Sequence, residues 1–135
     1  MRYMLDTNIC IYVIQKASMA VLERLRKVGV PNVGVSSITL SELEYGVEKS
    51  LAKKRNRIAL ASFLGPLEIA PYDEVAARAY GSIRCGLERA GTPIGSLDVL
   101  IGAHALSLGL TLVTNNEREF RRIPGLKIEN WAKNL

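Results

Sequence analysis

Short, continuously apolar runs alternate along this chain with longer segments of helical periodicity. Five runs predict strands, the last more weakly than the others: 2–5, 33–37, 67–70, 110–114 and 126–129. Strands that alternate with helices favour a parallel sheet, and uniformly apolar strands fit a sheet that is covered on both faces. The chain is therefore predicted to be an α/β protein whose central parallel sheet has helices on either side.

The segments between the runs place apolar residues three or four positions apart. This spacing predicts three amphipathic helices followed by a nearly apolar, buried one: 17–28, 39–51, 72–90 and 96–109. Asp73 and Ser96 are suited to cap the last two helices. No repeat, low-complexity tract or linker interrupts the pattern, so residues 1–135 are expected to form a single domain.

Composition limits the setting in which such a domain would work. Apolar residues make up 48% of the chain and charged residues 23%, as in ordinary soluble proteins. No apolar run approaches the roughly 18 residues of a membrane span, and the first residues lack the pattern of a secretory signal. Cys10 and Cys85 stand apart in apolar surroundings. These features predict a cytoplasmic protein without membrane contact, whose cysteines are reduced core residues, with a disulfide between the two as the alternative.

The chain carries a net charge of +5, which suggests a polyanionic partner. The positive charge is concentrated in two stretches: Lys49, Lys53, Lys54, Arg55 and Arg57 in the first, and Arg118, Arg121 and Arg122 in the second. Solvated helix surfaces would account for either stretch alone. Their significance depends on whether an acidic site accompanies them.

Polar side chains follow three of the predicted strands. Asp6 comes directly after the first, Asn115 and Asn116 come after the fourth, and Glu42 lies about one turn into the helix after the second. Sites in open parallel sheets form beyond the carboxyl ends of the strands. The sequence therefore predicts that these side chains gather at one edge of the sheet.

Each of these residues also has an ordinary structural explanation. Asp6 could cap a helix, and Glu42 completes a capping box with Thr39. Asp98 would lie in the first turn of an apolar helix, where the helix dipole favours a negative charge. Asn116 could cap the short helix that follows it.

Taken together, several acidic and amide side chains at one edge would repel one another unless cations neutralised them. Oxygen ligands of this kind suit Mg²⁺ or Mn²⁺. Such an ion can activate a water towards a phosphorus atom, while arginine and lysine hold the phosphate backbone. His104, the single histidine, is predicted to pack in the core, and the motifs of zinc, P-loop and serine-hydrolase chemistry are absent from the sequence.

Four blocks resemble, in order and spacing, the PIN-domain ribonuclease toxins called VapC: MLDTNICIY, SSITLSELEYGVEKS, GTPIGSLDVLIGAHALSLGL and LVTNNEREFRRIPGLKIENW. The resemblance spans Tyr3 to Trp131. It implies a PIN fold with strand order 3-2-1-4-5 and identifies Asp6, Glu42 and Asp98 as metal-binding, catalytic acids. It also implies Mg²⁺- or Mn²⁺-dependent endonucleolytic cleavage of structured RNA, tRNA anticodon loops above all, which is toxic because it blocks translation.

The same resemblance implies a VapB-type antitoxin as partner, and both a homodimer and a toxin–antitoxin hetero-oligomer as assemblies. Many PIN domains have a fourth aspartate where this chain has Asn116, so either Asn116 or Glu119 is expected to complete the acidic set. Supporting residues are expected to orient the acids or to bind RNA: Thr7, Asn8, Thr114 and Asn115 for the first role, and Lys53, Lys54, Arg55, Arg118 and Arg121 for the second.

Two other functions stay open. Because Asn116 lowers the charge of the pocket, the chain could be an RNA-binding PIN module without catalysis. Receiver domains also gather acids at strand ends, so a phospho-acceptor switch is a weaker alternative. That switch requires an aspartate that closes the third strand, whereas this chain reaches Asp73 only after Pro71 and Tyr72.

Overall fold

Five parallel strands form the centre of the computed structural model, which describes residues 1–133. The strands are β1 (Tyr3–Leu5), β2 (Val33–Ser36), β3 (Glu68–Ala70), β4 (Thr111–Val113) and β5 (Lys127–Glu129). They pair in the order β3-β2-β1-β4-β5, and every pair is parallel. The predicted strand order is confirmed, and each strand lies inside its predicted run.

Seven α-helices in this part of the chain cover the sheet and connect its strands: α1 (Thr7–Gln15), α2 (Met19–Val28), α3 (Ser37–Lys49), α4 (Lys53–Leu64), α5 (Glu74–Arg89), α6 (Ser96–Ser107) and α7 (Glu117–Phe120). The predictions of α2, α3, α5 and α6 are confirmed to within two residues at each end. The spacing of apolar residues did not predict α4. This helix begins in a basic stretch, and Leu60 is its one buried residue. None of these helices is long and apolar enough to cross a membrane.

The sheet has a hydrophobic core on each face, because successive strand residues point to opposite sides. In β1, Tyr3 and Leu5 belong to the core formed with α1 to α4, whereas Met4 belongs to the core formed with α5 and α6. In β4, Val113 belongs to the first of these cores and Leu112 to the second. This two-sided cover explains why the strand sequences show so little polar alternation.

Polar caps fix the starts of the helices that leave the carboxyl edge of the sheet. Asp6 caps α1 and Ser36 caps α3, each by accepting a backbone N–H near the helix start. The predicted capping box of Thr39 and Glu42 is therefore wrong. The helix begins two residues before Thr39, so both side chains lie inside α3 and are free to make other contacts.

Three further predictions have mixed outcomes. Asp73 caps α5 as predicted, but Gly95 occupies the cap position of α6 and Ser96 is its first residue. Cys10 is buried, as predicted, whereas Cys85 is exposed. The prediction of a core position for Cys85 is wrong because this residue lies on the solvent side of an amphipathic helix.

His104 is buried, as predicted, and it connects α6 to the end of β2. Its Nδ1 atom lies 2.7 Å from the hydroxyl of Ser36, and the ring of Tyr72 meets it edge-on at a centroid distance of 5.4 Å. Burial lowers the pKa of His104 below its ordinary value. The imidazole therefore serves the packing of α6 against the sheet as a neutral group.

Gly34 in β2 leaves no room for a side chain. A Cβ atom at this position would lie 2.6 Å from the backbone carbonyl oxygen of Glu68 in β3, and only a shift of the strands could relieve the contact. Gly34→Ala is expected to lower the free energy of unfolding by about 2 kcal/mol, measured by urea denaturation.

Gly81→Ala is the matched control for this substitution. Gly81 lies on the exposed side of α5, where a Cβ atom would meet nothing within 4 Å. The control should therefore raise the free energy of unfolding by about 0.5–1 kcal/mol. Equal effects of the two substitutions would contradict the close approach of β2 and β3.

Candidate active site

Asp6 lies between β1 and α1, and only 5% of its surface is exposed. One carboxylate oxygen accepts the backbone N–H of Ile9 at 3.0 Å, and the other accepts the hydroxyl of Thr114 at 2.5 Å. Thr114 follows β4, so the pairing of β1 with β4 brings the two residues together. Burial raises the pKa of Asp6 above its ordinary value, although both hydrogen bonds oppose that rise. Asp6 is thus a helix cap and a buried carboxylate at the sheet edge.

Glu42 reaches the same edge from the second turn of α3. Its carboxylate accepts the hydroxyl of Thr7, the first residue of α1, at 2.6 Å. The hydroxyl of Thr39 lies 3.4 Å from that of Thr7. Glu44 pairs instead with an arginine of α4 at 2.9 Å. Of the two glutamates, Glu42 is therefore the one that belongs to the site.

Asp98 and Glu119 meet across the side chain of Asn116. The Nδ2 atom of Asn116 lies 3.1 Å from an oxygen of Asp98, in the first turn of α6, and 3.1 Å from an oxygen of Glu119, in α7. The backbone N–H of Asn116 donates to the hydroxyl oxygen of Thr114 at 2.9 Å, which connects this group to Asp6. Asn116 occupies the cap position of α7, but its side chain does not cap the helix.

These four carboxylates form one electrostatic group. Burial and the neighbouring Glu119 raise the pKa of Asp98 to about 6, and the charge of Asp6 adds to that rise. The charge of Glu42 acts on Asp6 in the same direction. Glu119 itself has a lowered pKa because it accepts hydrogen bonds from Asp98 and from an asparagine. A bound cation would compensate the crowded negative charge.

Two of the residues expected to orient the acids have their side chains elsewhere. The Nδ2 atom of Asn115 donates to the hydroxyl of Tyr12 at 3.2 Å, and its Oδ1 atom accepts from Asn130 at 3.0 Å. Asn8 is exposed in the first turn of α1 and contacts Asp6 through its backbone N–H. Of the four expected supporting side chains, the two threonines are the ones that bond to the acids.

The basic residues are divided between the site and a remote helix end. Arg118 is exposed on α7, next to one of the acids. Arg121 pairs with the first residue of α7 at 3.0 Å. The other three lie at the start of α4: Lys53, Lys54 and Arg55. This helix follows the last residue of α3, which lies roughly 10 Å from Glu42 along the axis of α3.

The donor set of the site suits a hard divalent cation. Carboxylates and an amide, without cysteine or histidine, are ligands that Mg²⁺ and Mn²⁺ prefer. Within residues 1–133, no three acidic, cysteine or histidine side chains stand in a ready-made metal-ligating arrangement. The carboxylate oxygens of the site instead accept hydrogen bonds from hydroxyl and amide donors. Asp6, Glu42, Asp98 and Glu119 are the residues that would hold such an ion.

Comparison with known proteins gives the family. The model of the PIN domain matches residues 3–126. Over 132 residues, 98% of this chain and 99% of its relative, the sequence is 48% identical to the tRNA(fMet)-specific endonuclease VapC of Salmonella typhimurium. Over 134 residues, 98% of this chain and 100% of its relative, it is 46% identical to ribonuclease VapC2 of Rickettsia felis.

Solved structures agree with this assignment. A chain in the crystal structure of VapBC2 from Rickettsia felis bound to a DNA fragment from their promoter matches with a TM-score of 0.92 at 45% identity, covering 97% of this chain and 99% of that one. The chain therefore belongs to the PIN-domain family. Within that family it is a member of the VapC group of toxins, so the resemblance noted in the sequence is confirmed.

Three residues at or beside the site were not predicted from the sequence to belong to it: Tyr12, Thr39 and Asn130. Thr39 is fully buried on the side of α3 that faces Thr7, where its hydroxyl was attributed to a cap. Tyr12 was part of an apolar run. Asn130 directly follows β5, so the rule that sites form beyond strand ends would have found it.

The ionised carboxylate of Asp98 should lower the free energy of unfolding when no cation is bound. Its pKa is raised from 3.8 to about 6, so the folded protein binds the proton more tightly than the unfolded chain does, and the free energy of unfolding falls as the pH rises through that range. In EDTA at neutral pH, Asp98→Asn is expected to raise the free energy of unfolding by about 1 kcal/mol, a value reduced for the partial exposure of the side chain.

The control for this measurement is Asp73→Asn, because asparagine can also cap α5 and little change is expected. Both variants would be compared with the wild type by urea denaturation at several pH values. The advantage of Asp98→Asn should disappear in acid, where the wild-type carboxyl group is itself neutral. A variant less stable than the wild type at neutral pH in EDTA would contradict the electrostatic interpretation.

Proposed function

We propose that this chain is a metal-dependent endoribonuclease toxin that cleaves tRNA. The observation that carries the proposal is the meeting of Asp6, Glu42, Asp98 and Glu119 at the carboxyl edge of the sheet, connected through hydroxyl and amide donors. Phosphodiester cleavage by an enzyme of this kind needs an anionic group that binds Mg²⁺ or Mn²⁺. The single histidine lies in the core against Ser36 and takes no part.

Rigid elements support the proposed chemistry. Asp6 is held by two hydrogen bonds between a central strand and the helix that follows it, so its carboxylate has little freedom. Arg118 is exposed beside Glu119, where it could contact a phosphate of the RNA backbone. When bound, Mg²⁺ or Mn²⁺ would activate a water and stabilise the leaving oxygen.

Glu119 rather than Asn116 is proposed as the fourth ligand. A carboxylate accepts hydrogen bonds, so the group that Asn116 presents to both Asp98 and Glu119 is its amide nitrogen. The nitrogen cannot bind a cation, whereas Glu119 brings a negative oxygen to the same point. Asn116 then acts as a neutral bridge that holds two carboxylates close together.

The substrate class is inferred from the relatives. The Salmonella typhimurium relative is named as an endonuclease specific for tRNA(fMet), and we propose a structured RNA of the tRNA class, cleaved in its anticodon loop, for this chain. The net charge of +5 favours association with such a polyanion. The site of action would be the cytoplasm, where tRNA is found.

A VapB-type antitoxin is the proposed protein partner. The relative from Rickettsia felis is a VapBC structure, and this chain has a groove of about 210 Å³ with Glu42 on its lining. Apolar side chains of α1, α3 and α4 make up most of the remaining lining: Ile11, Ile14, Leu43, Val47 and Leu60. An apolar antitoxin segment in this groove would end beside the acids. Assembly as a homodimer and as a hetero-oligomer with the antitoxin remains a prediction for sedimentation analysis.

An RNA-binding module without catalysis is the second candidate, and Asn116 is the observation that favours it. With an amide in place of a fourth aspartate, cation binding depends on Glu119. Such a module would bind RNA in a salt-dependent way, unaffected by Mg²⁺, and would produce no new RNA ends.

Asp6→Asn is expected to abolish cleavage. Purified, antitoxin-free wild-type and variant proteins would be incubated with total bacterial RNA in Mg²⁺, Mn²⁺ or EDTA, and new 5′ ends mapped by sequencing. Loss of the buried carboxylate should lower the cleavage rate on the order of 100-fold or more, and EDTA should have the same effect on the wild type. Glu44→Gln, a glutamate of α3 that pairs away from the site, is the control and should cleave normally.

Thermal melting would show whether the Asp6→Asn protein is folded. A folded Asp6→Asn protein that cleaves RNA at the wild-type rate would refute the proposed site. Wild-type protein that binds RNA but yields no discrete ends in either metal would favour the module without catalysis.

Metal titration separates the roles of Glu119 and Asn116. Glu119→Gln removes the proposed ligand and should weaken Mn²⁺ binding by roughly 10- to 100-fold in isothermal titration calorimetry. Asn116→Asp adds a carboxylate and should strengthen it, while lowering the stability of the metal-free protein through added repulsion. If Asn116→Ala weakened Mn²⁺ binding more than Glu119→Gln does, Asn116 rather than Glu119 would be the fourth ligand.

A further inference from the structure

Uncharged polar side chains form a row along the carboxyl edge of the sheet, beside the carboxylates. Asn8 and Tyr12 are one helical turn apart on α1, so they share a face of that helix. The hydroxyl of Tyr12 accepts from Asn115 at 3.2 Å, and Asn115 accepts from Asn130 at 3.0 Å. Tyr12, Asn115 and Asn130, which these bonds join, are called the amide row below.

The amide row adjoins the acids without positioning their side chains. Asn115 stands between Thr114 and Asn116, which both bond to acids. In the described part of the chain, the side-chain hydrogen bonds of Tyr12, Asn115 and Asn130, at 2.9–3.2 Å, join these residues to one another, to Glu117 and to the backbone of Ala132. The row is therefore not needed to hold the carboxylates.

The chemistry of the row suits a nucleobase rather than a phosphate. An asparagine amide offers a donor and an acceptor side by side, which matches the edge of a base. The hydroxyl of Tyr12 accepts from Asn115, so its own O–H remains a donor, and proteins read unpaired RNA bases by hydrogen bonds to such groups. The row carries no positive charge, so the backbone phosphates would be left to arginine and lysine.

Internal hydrogen bonds leave Asn115 able to bind, whereas Asn130 uses both N–H groups, on Asn115 and Glu117, and supports Asn115 from behind. Asn115 uses one N–H for Tyr12 and one acceptor site for Asn130, so its amide retains a second N–H and a second lone pair. Asn115 is also exposed, so these free groups face solvent. Because its neighbours already fix the amide, little side-chain entropy would be lost on binding.

We propose that the amide row binds one unpaired nucleobase next to the phosphate that is cleaved, and that it thereby sets the base preference of the enzyme. The proposal rests on the proposed ribonuclease function. It adds a specificity subsite, made by Tyr12, Asn115 and Asn130, to the acids that carry out the cleavage.

A hairpin RNA with a fully randomised loop tests the proposal. Wild-type protein and the variants Asn115→Ala, Asn130→Ala and Tyr12→Phe would be incubated with this RNA and Mn²⁺, and the bases flanking each cut counted by sequencing. The wild type should show a preference for one base at a fixed distance from the cut. Each variant should reduce that preference by about three- to ten-fold, the ratio that one hydrogen bond supplies.

Ser82→Ala is the control, because Ser82 is exposed on α5 outside the row and its loss should leave the base preference unchanged. Tyr12→Phe keeps the aromatic ring, so it should weaken the preference while retaining most of the RNA affinity, measured in the uncleaving Asp6→Asn background.

Failure of this proposal differs from failure of the proposed function. If the wild type is active and the row variants cut at the same bases as the wild type, the proposed subsite is wrong. The proposed ribonuclease function would still hold. A wild type that cuts no RNA would overturn both. A uniform loss of rate in the variants with an unchanged base preference would also count against the subsite, since it would indicate a structural role.

Discussion

The hydrogen bond between Thr114 and Asp6 is the contact on which the site depends. It joins the ends of β1 and β4, two adjacent strands near the middle of the sheet, and it partners a carboxylate oxygen that is almost fully buried. Without the hydroxyl, that oxygen would be desolvated and unpaired, which is costly. Thr114 also accepts the backbone N–H of Asn116, whose amide meets Asp98 and Glu119. One threonine thus links strand pairing to three of the four acids.

Neutral donors hold these acids, and this choice has a functional consequence. Threonine hydroxyls and an asparagine amide fix the carboxylates without cancelling their charge, whereas a lysine or arginine would compete with a cation. The ion pairs found within residues 1–133 all involve other acids. Burial, together with the neighbouring Glu119 and Asp6, accordingly raises the pKa of Asp98. Stability is thus reduced at the place where the proposed chemistry needs negative charge.

Much of this arrangement could be predicted from the sequence, because strand ends are easy to locate in uniformly apolar runs. Asp6 follows such a run directly, and its position past β1 was sufficient to place it at the sheet edge. Side-chain direction was harder to predict. Asn115 and Asn116 are consecutive, yet one faces Tyr12 and the other faces the acids, and only the backbone geometry after β4 decides which. Likewise, Thr39 resembled a cap because the start of α3 was placed two residues late.

The alternation of those two asparagines would connect the proposed cleavage with the proposed recognition of a base. The segment that leaves β4 supplies Asn116 to the acids and Asn115 to the amide row, and the segment that leaves β1 supplies Asp6 to the acids and Tyr12 to the row. Since β1 and β4 are paired, the distance between acids and row is set by strand register rather than by a flexible loop. A base held on the row would therefore present a defined phosphate to the carboxylates. Replacing side chains of the row could then alter which base is chosen without moving the point of cleavage relative to that base.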